Sequence, residues 1–428
     1  MRLLIRSAGL LVCYGFLVAG NAQAQFDQYT TPGGPEGRPV DRKAQLAREV
    51  ASARLRLGAV RVDPAFGIKD AEYVKNLLGP AGGTAPSDFT ATVSAGARAY
   101  LPTGPQVTWT AYALPEYVWW RRETGRRRFN GRYGLGLFGF WNRLTVAATA
   151  GSDAQQQVVT PEVLRPASAR SDHVQASVEL RLSGAFSTFI SGNLERQHSL
   201  AKVAEDPQAL LLQQLDREER VARAGLRWRP PGGWVVGVGA ERSDVDFSHR
   251  RGAVDRSNFG TAPVFELSRD RGRLFFQADV AQRSLSAKQG ASFIHFAKTT
   301  GRAAISLEIA RGAEIFVYAN RNLVYSLVPA YSYLDDLRHG AALHLRLGRR
   351  IGANVFGETG SEGYTALAPG TPRRKDDLTS FGGTVSFALV RSAALRLQGA
   401  RTRFTSNQAG GTRSLTTLGL TVTLAGRP

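Results

Sequence analysis

The sequence predicts an all-β protein: a transmembrane, antiparallel, up-and-down β-barrel of about eighteen strands, within the range 16–18. Two observations lead to this fold class. Apolar and polar residues alternate with a period of two along many short segments, which is the pattern of strands with one apolar and one polar face. The connectors between these segments alternate between tight turns and longer loops, as they do in barrels that cross a membrane.

Residues 1–24 predict a secretory signal peptide. Arg2 and Arg6 form a basic start, residues 8–19 form an apolar core, and Ala22-Gln23-Ala24 is a small-x-small cleavage site. The apolar core is shorter than the roughly 20 residues that a membrane-spanning helix needs. Cys13 lies in this segment and is the only cysteine of the chain. The exported part would therefore have no disulfide, cysteine metal site or thiol nucleophile.

Residues 25–56 predict a short periplasmic segment, made of a linker and one helix. Residues 25–39 are rich in proline and glycine, and residues 40–56 read as a helix with Asp41 as its N-cap. Four arrangements of this helix are open: it is a flexible extension, docks on the barrel mouth, enters the lumen or binds a partner. The barrel itself is predicted to occupy residues 57–428.

The predicted strands follow the alternation of the sequence. In residues 174–182, for example, every second residue is apolar, from Val174 to Leu182, and the residues between them are polar. The strands are predicted at 59–69, 87–101, 105–119, 126–140, 142–155, 171–183, 185–197, 219–229, 233–247, 260–269, 272–285, 297–309, 312–325, 335–348, 351–364, 376–389, 392–405 and 412–425. Pro64 and Pro263 interrupt the pattern of the first and tenth strands.

The longer loops are expected to be extracellular and the tight turns periplasmic, with both chain termini in the periplasm. Within the loop at 198–218, Asp206 and Pro207 suit the start of a short helix. This helix lies either on the outer rim or inside the pore as a constriction. The longer loops are predicted near 70–86, 156–170, 198–218, 248–259, 286–296, 326–334, 365–375 and 406–411.

The chain is strongly basic. Its formal net charge is +20, and removal of Arg2 and Arg6 with the signal peptide lowers this to +18. The export signal and the even spread of arginines argue against a nucleic-acid partner. The expected partners are outer-membrane lipid and lipopolysaccharide, the barrel assembly machinery, and polysaccharide or periplasmic secretion components. No cofactor and no metal site is expected, since no ligand spacing or phosphate loop is visible.

A resemblance adds to this interpretation. Segments such as Thr300-Gly301-Arg302-Ala303-Ala304-Ile305-Ser306-Leu307-Glu308, followed by a short turn and another strand, resemble the bacterial outer-membrane β-barrel and porin group. More narrowly, they are similar to β-barrel porins associated with exopolysaccharide secretion. The likeness covers about residues 57–425. It implies a location in the bacterial outer membrane and passage or export of polysaccharide.

The polar residues of the strands are predicted to line a channel, because a charge facing hydrocarbon at mid-bilayer costs about 2–4 kcal/mol. Glu241 and Glu266 share this inner face. Two interpretations of these inward charges are open. They are compatible with any water-filled barrel, or they indicate a pore that favours anions. The predicted channel-lining residues are Arg98, Arg132, Arg181, Arg223, Arg227, Arg229, Arg302, Arg346, Arg396, Glu179, Asp279, Glu308 and Glu358. Of these, Arg223, Arg227 and Arg229 form the densest predicted basic column.

The leading functional hypothesis is therefore a porin-like channel for polar or anionic solutes, with polysaccharide export as one case. An adhesin or structural barrel that acts through its loops is the first alternative. A barrel hydrolase is the second. Its weak point is that, of the six histidines, only His344 falls clearly on a lumen-facing strand position. No residue is assigned a catalytic or metal-binding role.

Overall fold

The computed structural model describes residues 42–75, 87–200, 209–248, 254–390 and 393–425. The predicted signal peptide at 1–24 and the linker at 25–39 lie outside these ranges. The predicted barrel of about eighteen strands is confirmed. Strands β2 to β19 each pair antiparallel with their neighbours in the chain, and β19 pairs with β2 to close the ring. A closed ring leaves no edge strand unpaired, as a membrane-spanning sheet requires.

The strands are β1 Leu55–Leu57, β2 Val60–Lys75, β3 Asp88–Thr103, β4 Val107–Trp120, β5 Arg128–Phe140, β6 Leu144–Thr160, β7 Val163–Arg181, β8 Phe186–Ser199, β9 Arg217–Trp228, β10 Trp234–Phe247, β11 Asn258–Arg271, β12 Leu274–Ala287, β13 Phe296–Ala310, β14 Ala313–Tyr325, β15 Tyr331–Leu347, β16 Ile351–Ala366, β17 Lys375–Val390, β18 Ala393–Ser406 and β19 Arg413–Ala425. The helices are α1 Arg42–Ser52, a 3₁₀ turn Thr124–Arg126 and α2 Ala209–Gln213. The short β1 forms a hairpin with the start of β2 and lies outside the ring of eighteen.

One end of the barrel, here called the turn end, carries the tight connections; the other is the loop end. Gly312 and Gly348 adopt positive φ angles of 85° and 69° in turns of the turn end. Only glycine takes up such angles without steric cost. The predicted helix in the 198–218 loop corresponds to α2 at the loop end, while residues 201–208, including Asp206 and Pro207, lie outside the described residues.

Both prolines that interrupt the sequence pattern lie inside strands. Pro64 in β2 sits just beyond Ala65, the last residue of β2 that pairs with β19. Pro263 in β11 pairs with β10, but the β11–β12 pairing skips it. A proline has no N–H to give to a ladder, so both are tolerated where one neighbouring strand does not pair with them.

One predicted loop is wrong, and a second begins later than predicted, with its residues 76–86 outside the described residues. Within the predicted loop 70–86, β2 continues to Lys75, and within 156–170 nearly every residue belongs to β6 or β7. Only Pro161 and Glu162 connect these two strands. The tip of β6 and β7 lies above the membrane, where neither face of a strand meets lipid and apolar alternation is not needed. In β2 a register shift between Lys69 and Glu72 interrupts the alternation.

The outer face of the ring is apolar. Leu135 is 67% exposed, Leu418 66% and Phe129 82%, and each lies on the face opposite the buried polar residues of its strand. Exposed aromatic residues stand near both strand ends: Tyr117 packs against Phe129 at the loop end, with ring centroids 4.9 Å apart, and Trp141 and Trp228 are exposed at the turn end. Amphipathic rings favour the headgroup level of a membrane. In the described chain, no helix is long and apolar enough to span a bilayer.

Candidate functional site: the barrel lumen

The inner face of the barrel is lined by charged side chains that are largely hidden from solvent. Arg223 is 5% exposed, Glu241 3% and Glu116 2%. A buried charge is tolerated only when it is paired and hydrogen-bonded. The inner wall is therefore best described by the ion-pair networks that join neighbouring strands.

The first network runs across β9, β10, β12 and β13. Arg223 contacts Glu241 at 2.8 Å and Asp279 at 3.1 Å. Glu241 also accepts a 3.3 Å hydrogen bond from Arg283, whose guanidinium donates to the Thr300 hydroxyl at 2.7 Å. The predicted lining residues Arg223 and Asp279 thus belong to one ion-paired cluster. Arg283 also belongs to this cluster, although it is not among the predicted lining residues.

The second network is nearer the turn end. Arg227 contacts Glu179 at 2.9 Å and Glu266 at 2.8 Å, while Arg229 also binds Glu179. The Ser187 hydroxyl donates to the same glutamate at 2.8 Å. This corrects the expectation of a dense basic column. Arg223 and Arg227 share one face of β9, and Arg229 follows directly after its last residue. Carboxylates from β7, β10, β11 and β12 neutralise all three, since long side chains reach across neighbouring strands.

A third network lies on the wall formed by β2 to β5. Lys69 contacts Glu116 at 2.9 Å, and Arg132 approaches the same carboxylate at 3.6 Å. Arg98 stands opposite Asp63 in the register of β2 and β3. Arg98 and Arg132 are predicted lining residues, whereas Lys69 and Glu116 are not among the predicted ones, although both occupy alternating positions.

On the remaining wall, from β14 to β19, the buried hydrogen bonds and ion pairs between charged groups lie from mid-strand to the loop end. The Tyr318 hydroxyl donates to Glu358 at 2.5 Å. Arg413 of β19 contacts Glu362 at 2.9 Å and Asp376 at 2.6 Å. Of this group only Glu358 is a predicted lining residue. The other residues of this group also occupy alternate polar positions of their strands. The alternation does not indicate which strands carry the oppositely charged partner of a given residue.

The other predicted lining residues have more open surroundings. Arg181, Arg302 and Arg346 are exposed on the inner-face positions of β7, β13 and β15, and Arg396 and Glu308 are half-buried on those of β18 and β13. Within the described chain, Arg181, Arg302 and Arg346 form no ion pair with a carboxylate. Arg302 stands opposite Asp279 in the register of β12 and β13, so that carboxylate offsets part of its charge, and Arg181 and Arg346 are the less compensated cations of this set.

Helix α1 lies inside the turn end of the barrel, which settles the open arrangement of the N-terminal helix. Leu46 is 2% exposed and packs with Tyr100 and Phe138 on the inner faces of β3 and β5. The Arg42 guanidinium lies 4.5 Å from the centroid of the Phe138 ring. Arg54, just after the helix, contacts Asp63 of β2 at 3.5 Å. The helix thus covers the inner wall and narrows this mouth.

The hairpin tip of β6 and β7, residues 158–167, narrows the loop end. Val158 packs with Leu378 and Phe404, which belong to β17 and β18. Five strands lie between β6 and β18 around the ring, so this contact spans the lumen. The Arg413 guanidinium also donates to the carbonyl of Pro161 in the tip. The tip is therefore fixed to the far wall.

The tip is also joined to the β14–β15 loop. Glu162 accepts a 2.7 Å hydrogen bond from the Ser326 hydroxyl and another from the backbone N–H of Leu327. Burial raises the pKa of the Glu162 carboxyl above its ordinary value near 4.5, although these two hydrogen bonds act in the opposite direction. Nearby, Arg256 donates to the Tyr331 carbonyl at 3.1 Å, and burial lowers its pKa to about 10.

The arrangement offers no nucleophile beside a base around His344. Its ring packs against Phe316, with centroids 6.2 Å apart. The nearby Ser306 hydroxyl donates to Glu314 instead of to the histidine. Nor does any group of three or more potential metal ligands occur within the ranges that the structure describes. The lumen is a polar, hydrogen-bonded passage with one element packed into each mouth, α1 at the turn end and the β6–β7 tip at the loop end.

The closed ring, its apolar outer face and its polar lumen define a bacterial outer-membrane β-barrel of porin architecture. No protein-family model and no curated protein matches the chain.

Solved structures of low sequence identity share the fold. A BenF-like porin from Pseudomonas fluorescens has a TM-score of 0.51 and 11% identity over 86% of this chain and 99% of that one. OccK2 (OpdF) from Pseudomonas aeruginosa also has a TM-score of 0.51, with 9% identity over 85% of this chain and 98% of that one. A bacterial polysaccharide outer-membrane secretin matches with a TM-score of 0.36 and 12% identity, over 85% and 97% of the two chains.

Proposed function

We propose that this chain is an outer-membrane channel for small polar solutes, narrowed by α1 at the turn end and by the β6–β7 hairpin tip at the loop end. The observation that carries the proposal is the contrast between the two faces of the ring. The outer face presents large apolar side chains such as Leu418, whereas the inner face carries ion pairs and hydroxyls such as Arg223 and Thr300. Such a lumen favours water and polar solutes over lipid.

Charge selectivity in the proposed channel is weak and favours anions. The paired arginines contribute little field, because each has a carboxylate within contact distance. Arg181 and Arg346 are exposed on inner-face positions without a carboxylate in contact among the described side chains, so they give the surface that a passing ion meets a net positive charge. Salt screens charges over about 8–10 Å at ordinary ionic strength, so the preference fades as salt rises.

Single-channel recording in planar bilayers tests the proposal. The purified protein should give stepwise current, and deletion of residues 42–54 should increase the size of the step because α1 no longer fills the turn-end mouth. A reversal potential in a salt gradient then reports the ion preference. If neither the intact chain nor the deletion variant conducts, the barrel is filled and the alternative function, an adhesin or structural barrel acting through its loops, gains support.

Polysaccharide export is the second candidate, and one observation favours it. Tyr100 and Phe138 lie on the inner wall beneath α1, so a displaced helix would uncover aromatic faces beside the ion pair of Arg54 and Asp63. Apolar faces with a few placed polar groups are what an oligosaccharide needs for binding. Acidic and neutral oligosaccharides added on the turn-end side should then interrupt the current of the deletion variant. Currents insensitive to both sugars would contradict this candidate.

A further inference from the structure

The outer face of the barrel carries a ring of charges at the loop end, and over part of the ring these charges neutralise one another. Arg196 contacts Glu218 at 2.5 Å, joining β8 to β9. On β10, Asp244 contacts Lys288 at 2.6 Å. Each cation named here has a carboxylate of the chain as its partner. In this stretch, from β8 to β12, most outer-face cations are paired in this way, and Arg242 of β10 is a single exposed cation that no described carboxylate contacts.

The opposite stretch of the ring has a different composition. Lys75 of β2, together with Arg401 and Arg403 of β18, forms an exposed basic patch on the outer face. In the sheet register Arg401 stands opposite Thr416 of β19, and Thr416 stands opposite Lys75. With neighbouring strands about 4.8 Å apart, the Cα atoms of Lys75 and Arg401 are roughly 10 Å apart. The Cα atoms of Arg401 and Arg403, two residues apart on β18, are about 7 Å apart.

No carboxylate of the described side chains neutralises the basic patch. The neighbouring outer-face carboxylate on β17 is Asp377, and it contacts Lys375 at 2.9 Å. The connections above this part of the ring are residues 76–86, 367–374 and 407–412, and their sequences contain neither aspartate nor glutamate. The partner of the patch is therefore to be sought outside the chain.

The depth of the patch indicates which surroundings it meets. Arg401 lies eight residues beyond Ala393, the first residue of β18. A rise of about 3.3 Å per residue and a tilt near 40° place it about 20 Å from the turn end, close to the upper edge of an apolar band about 25 Å tall. The exposed side chains of Phe381, Leu418 and Tyr73 lie at or below this level.

We propose that the basic patch binds the phosphate groups of a phosphorylated glycolipid in the outer leaflet. A phosphate over Thr416 would lie between Arg401 and Lys75, with Arg403 one row above. Guanidinium groups bind phosphate through paired N–H donors, and the apolar side chains below the patch accommodate the acyl chains. Each basic residue near an anionic membrane surface contributes roughly a fivefold gain in affinity, so three give about 100-fold.

Native mass spectrometry of the detergent-solubilised barrel, titrated with lipid A, tests this inference. The wild-type chain should retain bis-phosphorylated lipid A about 100-fold better than the variant K75Q/R401Q/R403Q. It should discriminate against dephosphorylated lipid A to a similar extent. The control variant R311Q/R349Q/R350Q makes the same change in charge at the turn end and should bind as the wild type does, while R401K/R403K should keep most of the affinity.

Two results would overturn the inference: equal binding of the two lipids by the wild-type chain, or affinity in the triple variant within about threefold of the wild type. Displacement of bound lipid A by millimolar inorganic phosphate would also contradict it, since free phosphate would then suffice as the ligand. Heat-modifiable electrophoretic mobility reports whether each variant is folded. If the triple variant is not, the single variant R401Q should still show a loss of about fivefold.

Discussion

Ser326 donates a 2.7 Å hydrogen bond to the carboxyl group of Glu162, and so joins two loop-end elements that are separated by six strands around the ring. Ser326 begins the β14–β15 loop and Glu162 stands at the tip of the β6–β7 hairpin. The contact closes a bridge across the lumen, which makes it a natural control point for passage.

The bridge should respond to pH. Because burial raises the pKa of Glu162, the bridged state binds the proton more tightly than an opened, solvated state does. The bridge is therefore most stable below the ordinary carboxyl pKa and weakens as pH rises through the raised value. Arg256, Arg374 and Arg413 face the carboxyl group and oppose this shift. Conductance should grow between acidic and neutral pH.

A pair of variants tests this prediction. Glu162→Gln keeps the hydrogen-bonding shape without the titration, so its conductance should remain low and lose its dependence on pH. Glu123→Gln, on the β4–β5 loop, makes the same chemical change away from the bridge and should leave the pH dependence intact. A Glu162→Gln variant that keeps the wild-type pH profile would rule out this carboxyl as the titrating group.

The docking of α1 should control the turn-end mouth. Leu46→Glu places a charge in the apolar contact with Tyr100 and Phe138, which costs several kcal/mol unless the helix leaves the wall. We expect larger single-channel steps and faster proteolysis of the N-terminal segment. Ala47→Glu changes an exposed position of the same helix and should behave as the wild type. Identical steps in both variants would show that the helix does not limit the current.

The two faces of a strand should differ in their tolerance of arginine. Ala176→Arg on the outer face of β7 meets lipid near mid-bilayer, at a cost of about 2–4 kcal/mol. The adjacent Gln175→Arg points into the lumen, where its charge stays hydrated. Yields of heat-modifiable folded barrel should therefore fall for the first variant only. Equal yields would contradict the assigned register, since a one-residue slip exchanges the faces.

Arg223 and Arg346 should separate stability from selectivity. Arg223→Gln removes the contacting cation of buried Asp279 and leaves Glu241 with Arg283 alone, which should destabilise the barrel by about 3–5 kcal/mol. Arg346→Gln removes an exposed inner charge that contacts no carboxylate among the described side chains, so it should reduce the anion preference with little change in unfolding. Urea titration in micelles and reversal potentials measure the two effects. The distinction between paired and unpaired arginines would be refuted if the Arg223 variant changed only the ion preference and the other variant changed only the stability.

The orientation of the barrel remains a prediction and can be tested by labelling. Since the exported chain is expected to have no cysteine, Ala368→Cys at the loop end and Arg349→Cys at the turn end each introduce a single thiol. A membrane-impermeant maleimide applied to intact cells should label the first and spare the second. Labelling of Arg349→Cys alone would reverse the assignment of the two ends.

The sequence by itself determined the number of strands and their faces. Leu180 is outward and Glu179 inward as the alternation predicts, because contact with lipid selects the apolar side of each strand. The same pattern placed the tight turns. It failed where lipid contact ends: the tip of β6 and β7 lies beyond the membrane, so its residues show no alternation and were predicted as a loop.

Only the tertiary structure decided what fills and neutralises the lumen. Whether Arg223 is free or paired depends on Glu241 and Asp279, and the latter lies 56 residues away in the chain. The contact of Glu162 with Ser326 spans 164 residues. Contacts across a closed ring depend on its shear, its diameter and the reach of side chains from several strands. These contacts leave no periodic pattern in the sequence. The strands and their two faces could therefore be predicted from the sequence, whereas the ion pairs and the elements that narrow the lumen could not.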